Sequence, residues 1–154
     1  KQYVADNKTI FTLNPDFEDI SFIEPLYQEE IEDRYTESFH LDGVEQNIKS
    51  IFERIKEDIL KIDNEIKINS QKYYISLRKN RNFAFIKIKK KKLHIVIMLP
   101  YEGGKELIKK HKLTQLHESV QNFYNGPCFK VTLVNEDNFD EIINTLEEAY
   151  KQQN

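Results

Sequence analysis

Residues 73–99 read YYISLRKNRNFAFIKIKKKKLHIVIML, and this stretch decides the fold. Apolar and polar side chains alternate in three runs, broken at Lys79-Asn80-Arg81 and at Lys90-Lys91. In an extended strand successive side chains point to opposite faces, so three such runs with turn-rich breaks predict an antiparallel meander. Parity assigns Ile75, Leu77, Ala84, Ile86, Ile88, Leu93, Ile95, Ile97 and Leu99 to one face, which must meet helices. The other face takes Tyr74, Ser76, Arg78, Phe83, Phe85, Lys87, Lys89, His94, Val96 and Met98, a mixture of aromatic, aliphatic and basic groups.

The flanking sequence supplies the cover. Upstream, Val44, Ile48, Ile51, Phe52, Ile55, Ile59 and Ile62 recur every three or four residues, the stripe of a helix over 43–62. Asp42 and Glu45 have the spacing of a capping box at its start. Ile66 to Ile68 adds a short strand before the meander. Downstream, Cys128 to Val134 alternates as a fourth strand, and Phe139, Ile142, Ile143, Leu146, Ala149 and Tyr150 make a second helical stripe behind an Asn138/Glu141 capping box. Between them, Lys105 to Tyr124 reads as short helix or ordered loop, ended by Asn125-Gly126-Pro127. The expected fold is α+β, two-layer: a mainly antiparallel sheet of four to five strands with two helices packed on one face, forming a single domain over residues 35–154.

Charge is segregated along the chain. Residues 1–66 carry 17 acids against 7 bases, residues 67–134 carry 3 against 15, and residues 135–154 carry 6 against 1, so the net charge of -3 conceals a strongly basic middle. Residues 1–34 form an acidic segment, or a linker from an upstream domain, with Phe17, Phe22, Leu26 and Tyr27 interleaved among its carboxylates. It is expected to pack over the sheet, above Phe83 and Phe85, or to wrap a neighbour. The chain starts at Lys1 without an initiator methionine, which leads us to expect a longer parent protein. No apolar run approaches the roughly 20 residues that span a bilayer, and no signal-peptide order is present, so a cytoplasmic protein without membrane contact is expected. Cys128, the one cysteine, can build neither an internal disulfide nor a CxxC clamp and reads as a core side chain.

Few residues carry a chemical signature. Glu65-Ile66-Lys67 matches half of a restriction-type nuclease core but lacks an upstream acid on an adjacent strand, so it reads as a solvated helix end. His111 and His117 are six apart, neither on one helical face nor at zinc-motif spacing, so no metal site is expected. Gly103-Gly104 lacks the rest of a phosphate loop, and no cofactor is expected. Tyr35, Glu37 and His40 form a candidate polar cluster, with a hydrogen-bonded corner as its plainest role. No catalytic motif frames any residue.

The blocks YTESFHLDG (35–43), IFERIKEDILKID (51–63), KYYISLRKNRNFAFIKI (72–88) and KKLHIVIML (91–99), followed by a helix after NEDNFDEI (135–142), resemble a bacterial and archaeal domain of unknown function. Its members are often labelled "predicted transport protein". The resemblance runs from about Tyr35 to Tyr150, and such domains stand alone or at the C-terminal end of nuclease-like or restriction-like proteins. It implies an accessory role and supplies no catalytic residues.

From the residues themselves, nucleic-acid binding leads. Arg78, Lys79, Arg81, Lys87, Lys89, Lys90, Lys91 and Lys92 would attract phosphates, while Tyr74, Phe83 and Phe85 would offer stacking faces to unpaired bases. Partners other than nucleic acid are an upstream domain or a homodimer mate on the exposed sheet face. An enzyme acting on a small substrate is the third reading.

Overall fold

A computed structural model describes residues 35–154; the acidic segment 1–34, with the expectation that it covers the sheet, lies outside the described residues. The elements run α1 (Glu37–Leu41), α2 (Gln46–Ile62), β1 (Lys67–Ser70), β2 (Ile75–Arg78), β3 (Asn82–Ile88), β4 (Leu93–Ile97), α3 (Tyr101–Leu107), β5 (Leu113–Gln115), α4 (Glu118–Phe123), β6 (Phe129–Leu133) and α5 (Phe139–Gln153). The described residues thus hold an open sheet of six strands in the order β1-β2-β3-β4-β6-β5, every neighbouring pair antiparallel. The α+β class and the meander stand as expected. The strand and helix counts are larger, because β5 has three residues and α1, α3 and α4 have seven or fewer, too short for hydrophobic periodicity to register.

One face of the sheet carries the main core. Ile75, Ile86, Ile95 and Val131 lie in register across four strands, as do Leu77, Ala84, Ile97 and Phe129, and all are buried. Against them α2 buries Ile48, Ile51, Phe52, Ile55 and Ile59, and α5 buries Phe139, Ile142, Leu146 and Ala149. The two helices are tied where the Arg54 guanidinium lies 4.3 Å from the centre of the Phe139 ring while Nη1 donates to Glu136 at 3.1 Å. Gly104 of α3 seats directly on the Phe129 ring, the close approach that only a residue without Cβ permits.

The opposite face is not open along its whole length. Leu116, Val120, Phe123 and Tyr124, from the excursion containing α4, cover Tyr74, Phe85, Val96, Met98 and Cys128 to make a second, smaller core. A third partial layer therefore sits on a sheet expected to have two.

Three local readings need correction. Leu77 pairs with Ala84 but Arg78 pairs with Asn82, so Phe83 is the extra residue of a β-bulge. The bulge breaks strand parity and turns Phe83 into the main core, edge-on to the Tyr150 ring of α5 at 5.5 Å, instead of onto the basic face. Asp42 does not cap α2: it ends α1, Gly43 turns the chain at φ +74°, and α2 starts after Glu45 with no side-chain cap. At α5, Asn138 is left-handed and makes no side-chain cap, because Glu141 reaches across to the α3–β5 connection.

Candidate nucleic-acid interface

The basic residues of the meander fall into two groups at opposite ends of β3. Arg78, Lys79 and Arg81 flank the β2–β3 turn, whereas Lys87 and Lys89 to Lys92 lie at and beyond the β3–β4 hairpin. Lys87 is near the far end of β3, and the seven residues of that strand separate Arg81 from Lys89, about 20 Å at the rise of an extended chain.

The turn end is built for structure. Lys79 Nζ donates to Asp63 Oδ2 at 2.8 Å and lies 3.5 Å from Glu65 Oε1. The Tyr150 hydroxyl also donates to Asp63 Oδ2, and Asp63 Oδ1 accepts the Glu65 backbone N–H at 2.9 Å. The Lys79 ammonium, then the Tyr150 hydroxyl and the Glu65 amide, hold the Asp63 carboxyl down to about 2, and the same carboxylate raises Lys79. Asn154 Oδ1 accepts the N–H groups of Asn80 and Arg81 at 2.7 and 2.8 Å, fastening the end of α5 to the turn. Arg78 donates to the Asn80 carbonyl at 3.2 Å. The E-x-K half-motif dissolves into this knot: Glu65 faces Lys79, and Lys67 begins β1 opposite Arg78.

The hairpin end is different. Lys89 N–H donates to the Lys92 carbonyl at 2.8 Å to close the turn, and the Lys90 carbonyl accepts the Glu45 N–H at 2.9 Å, docking the tip on the start of α2. That backbone fixation leaves the Lys90, Lys91 and Lys92 side chains exposed. Beside the tip opens a cleft of about 380 Å³ whose lining includes Lys72, Lys87, Lys89, Lys90, Asp42 and Phe39.

The aromatic residues expected to stack on bases are not at this surface. Tyr74 and Phe85 are 6 % exposed, edge-to-face with each other at 5.1 Å and committed to the second core, and burial pushes the Tyr74 phenol up to about 12. Phe83 is fully buried on the helix side. Sequence reasoning missed the ring that does reach solvent: Phe39 of α1 is 50 % exposed and lines the cleft. Its lone position in a five-residue helix gave no periodic signal, although it stands inside the polar cluster that the sequence singled out.

That cluster is a clamp. Glu37 Oε1 accepts from Lys56 Nζ of α2 at 2.6 Å, and His40 Nε2 donates to the Gln71 carbonyl at 2.5 Å. Because a carbonyl can only accept, Nε2 carries the proton. Burial lowers the His40 pKa, outweighing the opposing effects of the Gln71 bond and Glu37, so the ring is neutral near pH 7. Tyr35 stacks edge-on against Phe39 at 4.8 Å. Of the other histidines, His111 Nδ1 meets Glu141 Oε2 at 2.6 Å and His94 Nδ1 meets Thr132 Oγ1 at 2.8 Å. Among the described residues no group of three His, Cys, Asp or Glu side chains is placed to hold a metal ion. No helix among them is long and apolar enough to cross a membrane.

The domain is thus an open antiparallel α+β sheet with one basic group around the Asp63 knot and another around a hairpin beside a cleft. The chain belongs to the family described as Domain of unknown function (DUF5655), whose model matches residues 37–153. It is 33 % identical over 117 residues to an uncharacterised protein of Haemophilus influenzae, an alignment covering 76 % of this chain and 37 % of that protein. No solved structure matches.

Proposed function

We propose that this domain is a non-catalytic accessory module that binds nucleic acid through the sugar–phosphate backbone, using the β3–β4 hairpin end. The observation that carries the reading is the hairpin itself: four consecutive lysines, Lys89 to Lys92, on a turn whose backbone is pinned to α2. Fixing the backbone lowers the ordering cost of bringing several cations to one strand, and neutralised phosphates release counterions. Lys87 and Lys72 extend the basic surface into the cleft. Lys79 contributes to the fold instead, because leaving Asp63 would cost the knot its central ion pair. The accessory role is supported by the Haemophilus relative, in which the matched region is part of a longer chain. A protein-docking role for the far sheet face has less to recommend it, since the α4 excursion already covers Tyr74 and Phe85.

Reversing Lys89 to Lys92 to glutamate tests the proposal. The variant is expected to lose retention on a nucleic-acid column at low salt while its thermal transition stays put, because these side chains are outside both cores. Equal retention of variant and wild type, or no retention of the wild type, refutes it.

A further inference from the structure

Phe39 is an exposed aromatic ring at the mouth of a lysine-lined cleft, and it is held there. A five-residue helix has no stability of its own in water. Here α1 is fixed by Glu37 on Lys56 at one end and His40 on the Gln71 carbonyl at the other, while Tyr35 and His40 meet the Phe39 ring edge-to-face at 4.8 and 5.4 Å. Two long-range ties and two ring contacts thus serve to present a side chain that is itself 50 % exposed. The main core loses nothing if that ring is absent, since Phe39 is outside it.

We propose that this cleft takes one unpaired nucleotide, with its base stacked on Phe39 and its phosphates on the lysines, so that the domain prefers single-stranded to double-stranded nucleic acid. The inference rests on the hairpin-end reading above and specifies its ligand. A volume of about 380 Å³ lies at the small end of the range for ligand sites, roughly 300 to 1,000 Å³, and suits a single nucleotide rather than a base pair stacked within a duplex. Cations alone would not discriminate strand state. An aromatic face beside them does, because only an unpaired base presents its own π-surface. Asp42 in the same lining adds an acceptor for a base amino or sugar hydroxyl group, a donor that a polyglutamate side chain lacks.

The test compares a fluorescently labelled single-stranded oligothymidine, a duplex of equal length and polyglutamate, each titrated at one low salt concentration with the full chain and with Phe39→Ala and Phe39→Trp. The wild type is expected to bind the single strand more tightly than the duplex and to bind polyglutamate weakly. Phe39→Ala should lose about 5- to 100-fold in single-strand affinity, leave duplex affinity within about twofold, and melt as the wild type does; Phe39→Trp should restore the single-strand affinity. If the wild type binds single and double strands equally, in a salt-sensitive way, and Phe39→Ala changes neither, the stacking site is refuted while the hairpin reading stands. Binding of neither nucleic acid overturns both, and polyglutamate bound as tightly as the oligonucleotide overturns the nucleotide as the occupant.

Discussion

Asp63 ends α2 and gathers Lys79, Tyr150 and the Glu65 amide around one carboxylate. Its folded pKa of about 2 lies below the ordinary 3.8, so the folded state holds the proton less tightly than the unfolded chain. The stabilisation is therefore complete above the ordinary value and disappears as pH falls through about 2. Denaturant melts of Asp63→Asn should show a variant less stable than wild type at neutral pH, with the gap closing on the way down to about pH 2; a gap independent of pH would contradict the role of its charge. Gly104 gives a second residue-scale expectation. A Cβ there would lie 2.4 Å from Phe129 Cε1, and that ring is fully buried. Gly104→Ala should thus cost about 1 to 3 kcal/mol in a chemical melt despite alanine's better helix propensity. Neither site was visible in the sequence. Lys79 read as a ligand for phosphate because its partner is sixteen residues away on another element, and a glycine's neighbours are a tertiary fact.

Elements with long periodic patterns were legible, and short or interrupted ones were not. The stripe of α2 was read to within a few residues, and Ile55 sits fully buried in its middle. Ile55→Ala should therefore destabilise by about 2 to 5 kcal/mol, and a loss under about 1 kcal/mol in urea would remove α2 from the core. Phe83 escaped because a bulge shifts parity by one residue, which no count of alternating positions reveals. The two capping boxes failed for different reasons: Asp42 closes α1, so α2 begins only after Glu45, whereas at Asn138 the spacing shows that a carboxylate can reach back, not that nothing better is within reach. Glu141 found the Lys109 and Lys110 amides and His111; burial raises its pKa, but these donors together hold it below the usual range. For α1 the expectation concerns pH. His40 is lowered by burial from 6.5, so its contribution is full above that value and is lost as pH falls through the folded pKa. Amide exchange in Glu37–Leu41 should accelerate relative to α2 as pH falls through the lowered His40 pKa; uniform behaviour of the two helices would contradict the clamp.

Across the whole molecule, the sequence showed how much positive charge the middle of the chain carries but not how the fold divides it. One antiparallel strand carries its two flanking turns to opposite ends of the sheet, so residues only eight positions apart, Arg81 and Lys89, cannot serve one short ligand site. At the β2–β3 turn Lys79 is consumed by Asp63, Arg78 bonds the turn's own carbonyl and the Arg81 backbone is held by Asn154 at the end of α5. At the hairpin Lys90, Lys91 and Lys92 are exposed. The central claim is that this second group alone contacts phosphate, and the salt dependence of oligonucleotide binding measures it most directly. Each neutralised phosphate adds about 0.7 to 0.9 to the slope of log K against log salt. The account predicts that Lys89→Glu to Lys92→Glu together flatten the slope by about 3, whereas Arg78→Glu with Arg81→Glu leaves it within error of the wild type; equal flattening by both variants, or a slope that the hairpin variant does not change, would contradict it.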